Sequence, residues 1–315
     1  MPYKAAFLTY RSYQYDSGAD VNNLHQTDDD AAAVALRRKG FEVTTLPWGE
    51  PVCAYEGFDL LVFRSTWDYL EQAERFHDWL GQMDALPALF ESPISLIRWN
   101  LDKAYLLDLA ASGAAVIPVM IVKANETSDL PDYFRNHGAL VIKPAIACGG
   151  KGAYRILSLE EAEKLQAAFS SIRGNEDYII QPYMEDIKRT GEWELIFIDG
   201  RYTHAVLKKP PAAEDGWKVQ EAGGSIDQAE PPLPVLDAAR NAFSKIVMAC
   251  NMSGIGKIDA AYVPLYARID LIGGLVSEIE LFEPSLYFSK CPANQAAELF
   301  AAAALERVAA YQGKR

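Results

Sequence analysis

Residues 141–156 read VIKPAIACGGKGAYRI. An apolar run ends in Lys143-Pro144, a small-residue loop (ACGGKG, 147–152) follows, and a second apolar run begins beyond it. The loop is not a Walker A motif, because Lys151 is followed by Gly152 where that motif needs a Ser or Thr for magnesium. Nor does it hold a G-x-G-x-x-G opening a helix. What remains is a strand–loop–strand unit. Its glycines let backbone approach a ligand closely, and its successive N–H groups can form an anion nest. Lys143 at the strand end adds a point charge. An ordinary glycine turn with two solvated lysines accounts for the same residues.

Outward from this unit, ALVIKP, AYRILS and DYIIQPY read as three strands, with a helix around EEAEKLQAAFSSI. Before them, LDKAYLLDLAASG (101–113) reads as one helix closed by Gly113, AAVIPVMIV as a strand and LPDYFRNHG as a short helix. Further back, KAAFLTY, FEVTTLPW and FDLLVFRST read as strands, and DDDAAAVALRRKG and QAERFHDWLGQM as helices. DDDAAAVALRRKG has acids at its start and basic residues in its last turn. Residues 1–97 thus alternate strand and helix, which predicts a small α/β lobe with parallel pairing. Ligands on such sheets sit at the carboxyl ends of strands, here TYRSYQYD and RSTWDY.

Beyond residue 186 the chain is strand-rich. WELIFIDG and RYTHAVLKKP predict a hairpin across Asp199-Gly200. A polar stretch of about 25 residues follows, a length that marks a functional or disordered connection. LDAARNAFSKIVMAC then predicts a helix, YARIDLI and LVSEIELF two strands, and the chain closes in a helix from about Asn294. The fold class is α/β (α+β). The expected units are 1–97, 98–185 and 186–315.

The stretch IDLIGGLVSEIELFEP (269–284) carries the second constellation. Glu278 and Glu280 are two apart on a strand and share a face. Asp270, across the Gly273-Gly274 turn, can approach that face. Apolar neighbours argue for burial, and clustered buried carboxylates are costly without a cation. All-oxygen ligation suits magnesium, with manganese as the alternative. Glu283 is a fourth acid, and an exposed acidic face is the competing explanation. Lys208 and Lys209 end a strand beside the long loop, where cations suit a transferring phosphoryl group.

The chain has 315 residues and a formal charge of −13, with 50% hydrophobic and 23% charged residues. Such acidity argues against nucleic-acid binding. No apolar run reaches membrane-spanning length. Cys53, Cys148, Cys250 and Cys291 form no CxxC pair, so a zinc ribbon is unsupported and a reducing cytoplasm is the expectation. A homodimer is the commonest soluble assembly.

Taken in order, these motifs resemble the ATP-grasp superfamily over residues 98–290. They are LDKAYLLDL, VIKPAIACGGKG, IIQPYM, AVLKKP and RID…SEIELFEP. The last is similar to the Asp, Glu-x-Asn and following proline of glutathione synthetases. FDLLVFRSTWDY and EIELFEPSLY look like the subgroup that includes the cycloserine-forming O-ureido-serine cyclo-ligase. The resemblance implies an N-terminal α/β lobe and two α+β lobes clasping ATP. Lys103 and Lys143 would reach its α- and β-phosphates. Cys148, Gly149, Gly150, Lys151 and Gly152 would form a lid, and Gln181, Pro182, Tyr183 and Met184 the adenine hinge. Asp270, Glu278 and Glu280 would hold magnesium.

Two departures stand out: Glu280 replaces the usual Asn, and Glu194 replaces an arginine, so that a phosphate contact would come from Lys208 or Arg268. Substrate contacts are expected from Arg11, Arg64, Ser65, Thr66, Trp67, Asp68, Gly223 and Gly224. Arg64 pairs either with a substrate carboxylate or with Asp68. The implied reaction is ATP-dependent ligation of a small carboxylate to an amine, within one molecule or between two, through an acylphosphate. A non-catalytic nucleotide sensor or scaffold and a phosphotransferase are the competing functions.

Overall fold

The computed structural model describes residues 2–12, 24–212, 216–219, 223–291 and 295–313. Residues 13–16 of TYRSYQYD, parts of the long loop after Lys209, and Asn294 lie outside the described residues.

The first lobe is built on β1 (Tyr3–Thr9), α1 (Leu24–Arg38), β2 (Phe41–Pro47), β3 (Leu60–Phe63), α2 (Ala73–Met83) and β4 (Leu89–Glu91). The strands form a parallel sheet in the order β2-β1-β3-β4. Alternation divides its apolar residues between two cores. Ala6, Leu8, Leu61 and Phe63 pack toward α2, while Ala5, Phe7, Leu60 and Val62 pack toward α1. The acids expected to open α1 lie inside it instead. Asp28 and Asp29 are buried because each has a partner: Asp28 accepts the N–H groups of Leu286, Tyr287 and Phe288, and Asp29 accepts from Arg64 and Ser65.

The helix expected over 101–113 is shorter, α4 (Tyr105–Ala111), and another for which none was expected, α3 (Ile94–Leu101), precedes it across a break. The chain is extended at Asp102, whose carboxylate accepts the Ala104 N–H at 2.8 Å. This break matters, since it carries Lys103.

The middle lobe holds β5 (Met120–Val122), α5 (Leu130–His137), β6 (Leu140–Pro144), β7 (Tyr154–Ile156), α6 (Leu159–Arg173) and β8 (Tyr178–Pro182), and α7 (Asp186–Arg189) leads out of it. Its antiparallel sheet runs β5-β8-β6-β7. Asp129 and Ser158 cap α5 and α6 by accepting N–H groups of the first turn. The sheet packs on these helices in a core of its own, with Leu140, Ile142, Ile156, Phe169 and Ile180 at its centre.

The last lobe comprises β9 (Glu192–Ile198), β10 (Arg201–Lys209), β11 (Ser225–Gln228), α8 (Leu233–Ser253), β12 (Tyr266–Ile272), β13 (Leu275–Glu280) and α9 (Gln295–Gln312). Its antiparallel sheet runs β11-β10-β9-β12-β13. The β9–β10 turn falls on Asp199-Gly200 with φ of 50° and 75°, and the β12–β13 turn on Gly273-Gly274 with 58° and 81°. Both are hairpin turns with left-handed backbone at both corners. β11 lies within the stretch read as a loop. It pairs with β10 from Val206 to Lys209, a long-range contact with little local signal. Part of this sheet packs on α8, and α9 packs on α1, so first and last lobes share a core. Among the described residues no helix is long and apolar enough to cross a membrane.

Candidate active site

The strand–loop–strand unit faces the last sheet across a cleft. The cleft is lined by Lys103, Lys143, the loop 147–151, residues 181–184, Glu192, Trp217–Val219, Arg268, Asp270, Glu278 and Glu280. It encloses about 1000 Å³ including its mouth, the upper end of small-ligand pockets.

Lys103 is placed by the helix break. Its backbone N–H bonds Ala145 O at 2.9 Å, and its ammonium bonds Ala147 O and lies 3.0 Å from Glu278 Oε1. Asn100 and Tyr105 flank the break and bond the backbone of Ile279 and Leu281, which locks it onto β13. Burial opposes the charge of Lys103, but Glu278 outweighs it and holds its pKa above the usual lysine value. Lys143 is pushed below that value by burial, with Lys103 adding repulsion.

Register explains the opposite wall. Asp270 pairs with Glu194 on one side and Glu278 on the other, Arg268 pairs with Glu280, and Lys208 with Glu192. Directly paired residues share a face. Hence Glu192, Glu194, Lys208, Arg268, Asp270, Glu278 and Glu280 all stand on the side of the sheet away from α8. Arg268 forks onto Asp270, with Nε to Oδ1 and Nη2 to Oδ2 both at 2.8 Å, and Nη2 also bonds Glu280. Lys208 lies 2.6 Å from Glu194 Oε1. Burial pushes Asp270 well above the usual carboxylate range even against Arg268, and pushes Glu280 up to about 7. Glu278 goes the other way; burial would raise it, but Lys103 and Lys143 hold it down.

Among the described residues no three His, Cys, Asp or Glu side chains already converge as a metal cage. The donor set nevertheless fits a hard dication. Five carboxylates, all oxygen donors, share one buried face, and burial raises Glu192, Asp270 and Glu280 although Lys103, Lys143, Lys208 and Arg268 are beside them. Added positive charge here offsets the cost of keeping these buried carboxylates ionised.

At the other end of the cleft, Gln181 and Tyr183 are joined by groups the sequence did not single out. Trp217 stands 6.5 Å from the Tyr183 ring, and the Arg155 guanidinium lies 5.5 Å from the Tyr183 ring and 5.7 Å from that of Trp217. Gln181 Nε2 and the Tyr183 hydroxyl are buried without a hydrogen-bond partner. Ile117, Val141 and Ile272 add apolar lining. The signal for Trp217 was an aromatic residue inside a polar loop. Glu192 had none beyond its two-residue spacing from Glu194.

The first-lobe residues fall into two groups. Arg64, expected to meet a substrate carboxylate or Asp68, is buried and bonds Asp29 at 2.7 Å and Pro284 O at 3.2 Å. Its partner is Asp29 because α1 lies against the end of β3. Ser65 also bonds Asp29, and Thr66 is buried. Asp68 accepts from the Trp48 indole and, at 3.3 Å, from the Arg11 N–H. Arg11 is exposed and reaches Glu50. Trp67 donates to Glu283 O at 3.4 Å, and Tyr69 donates to Glu283 Oε1 at 2.6 Å. Lys208 is not in the cleft lining, nor are Gly152, Gly223 and Gly224.

The family model for the ATP-grasp domain of prokaryotic glutathione synthetase matches residues 107–288. The model for the N-terminal domain of the D-cycloserine synthetase DcsG matches residues 5–90. The cycloserine biosynthesis protein DcsG of Streptomyces lavendulae is 31% identical over 80% of this chain and 85% of its own length. Glutathione synthetase of Rhodopseudomonas palustris is 23% identical over 84% of this chain and 72% of its own. The crystal structure of D-cycloserine synthetase DcsG is similar with a TM-score of 0.80 at 26% identity, covering 97% of this chain and 99% of that one. D-alanine–D-alanine ligase from Bacillus anthracis, complexed with ATP, shares the fold with a TM-score of 0.65 at 13% identity over 99% and 100% of the two chains.

Proposed function

The chain belongs to the ATP-grasp family of the glutathione synthetase type, and we propose that it closes a ring within one amino-acid-like substrate by joining its carboxylate to its own amine. It is an enzyme, an ATP-dependent ligase that forms C–N bonds. Cyclisation is favoured over joining two molecules because the likeness to cycloserine synthetase extends through the first lobe as well as the ATP-grasp part. The three units that act together are residues 1–97, 98–185 and 186–315, working in the cytoplasm.

The observation that carries this reading is the cleft itself, where lysines on one wall face clustered carboxylates on the other. Lys103 and Lys143 neutralise the phosphates, and loop 147–152 covers them. Residues 181–184, with Trp217 and Arg155, hold the adenine. Asp270, Glu278 and Glu280 would hold magnesium, which screens charge as the γ-phosphoryl group transfers. A substrate carboxylate oxygen attacks the γ-phosphorus and ADP leaves. The amine nitrogen then attacks the acyl carbon, the C–N bond forms, phosphate departs and the nitrogen loses a proton. The loop excludes water from the acylphosphate in between.

ADP release across a panel of amino acids bearing a second nitrogen, with hydroxylamine added, tests this. The expected product is a hydroxamate formed only with the true acid. A stable phosphate ester would make the protein a phosphotransferase, and no ADP with any acid would leave a nucleotide sensor.

A further inference from the structure

Arg268 and a divalent cation need the same oxygens. The guanidinium engages both oxygens of Asp270 and one of Glu280, two of the three acids assigned to the metal. A cation cannot enter between these carboxylates while a fixed positive charge forks across them. One acceptor stands ready beside the fork. Glu194 is 1% exposed and directly opposite Asp270 in register. Its carboxylate is held by Lys208, 2.6 Å from Oε1, and by a hydrogen bond from the Tyr287 hydroxyl, while its Oε2 is buried with no hydrogen bond and lies 3.5 Å from Arg268 Nε. A buried carboxylate oxygen left half-satisfied is costly, so an arrangement that completes it has a driving force.

We propose that Arg268 and the metal take the Asp270 and Glu280 oxygens by turns, with Glu194 as the acceptor that receives Arg268 when the cation enters. Arg268 is then both a stand-in that keeps the buried acids paired and a gate that the cation must displace. Glu194 is a positioning residue that acts through Arg268. Rotation onto Glu194 carries the guanidinium along the same sheet face toward Lys208, which concentrates positive charge on one side of the metal. The inference rests on the metal-assisted ligase reading.

The test is titration of the full chain with Mn2+ alone, following the signal of the free ion by electron paramagnetic resonance. Arg268→Met removes the competitor and should tighten binding. Glu194→Gln removes the acceptor and should weaken it about threefold or more, a coupling normal for groups in one network. In the Arg268→Met background the Glu194→Gln effect should disappear. Arg268→Lys, which keeps a cation but cannot fork across two carboxylates, should fall between wild type and Arg268→Met. That gentler variant decides the question should Arg268→Met fail to fold, as judged by its melting curve.

Equal weakening by Glu194→Gln with and without Arg268 would mean that Glu194 acts only through its charge, and would overturn the proposal. So would unchanged or weaker binding in the Arg268 variants. If instead Asp270→Asn and Glu278→Gln bind Mn2+ as wild type does, the metal-site reading itself fails and takes this inference with it.

Discussion

Lys143 is the residue whose environment says most about its role. Burial and the nearby Lys103 push its pKa down. Its charge therefore costs the folded protein stability near neutral pH rather than adding any. A cation kept under that strain is placed for something other than folding. Lys143→Met should leave the melting temperature equal to or above that of wild type, while cutting ADP formation by about a hundredfold or more, as loss of one electrostatic contact to a developing charge does. Wild-type turnover in that variant would contradict the phosphate role. At this scale, the lysines and acids of the cleft were readable because they sit at strand ends and at two-residue spacing. Arg268 as a fork between Asp270 and Glu280 was not. Its partners include a residue on another strand, 12 positions away, and only the hairpin register joins them.

Loop 147–152 is the element to which the proposed reaction assigns the lid. Gly149, Gly150 and Gly152 have φ of 60°, 70° and 71°. At Gly149 an added Cβ meets nothing within 4 Å, whereas at Gly152 it would stand 2.9 Å from Pro144 Cγ. Both substitutions by Ala cost backbone strain of about 1–3 kcal/mol, but only Gly152→Ala also forces the loop away from the strand that carries Lys143. Gly152→Ala should lower thermal stability more than Gly149→Ala and raise KM for ATP. Equal effects on both measures would argue that the loop's path is immaterial.

Elements were legible in the sequence where periodicity ran long, as in β9, β10, α6 and α8. β4, between Pro87 and Pro93, escaped, although β5 and β7 are just as short. The break at Asp102 escaped because neither Gly nor Pro marks it; contacts of Asn100 and Tyr105 with β13 impose it from outside.

Across the whole molecule, segment 285–288 is the clasp between first and last lobes. Asp28 of α1 takes three of its N–H groups, and His204 of β10 reaches two of its carbonyls. His204 Nε2 lies 2.9 Å from Leu286 O and 3.1 Å from Tyr287 O, so Nε2 carries the proton, and Nδ1 lies 2.9 Å from the Thr203 hydroxyl. Burial holds the pKa of His204 below its ordinary 6.5. The unfolded chain therefore binds this proton more readily than the folded one. The contribution of neutral His204 is complete above about pH 6.5 and is lost as pH falls through the depressed folded value. Urea unfolding from pH 7.5 to 5 should show stability falling more steeply in wild type than in His204→Gln; parallel curves would contradict it. The alternating strands and helices of the first sheet were readable, but this clasp was not, because Asp28 and Leu286 are 258 residues apart.

The central claim is that lysines of one wall and acids of the other meet on one triphosphate. Diffraction from crystals grown with a non-hydrolysable ATP analogue and Mn2+, collected at the manganese edge, tests it most directly. The account predicts an anomalous peak at roughly 2.0–2.3 Å from carboxylate oxygens of Asp270, Glu278 or Glu280, with the phosphates bridging to Lys103 and Lys143. Nucleotide bound elsewhere, or manganese remote from all three acids, would contradict it.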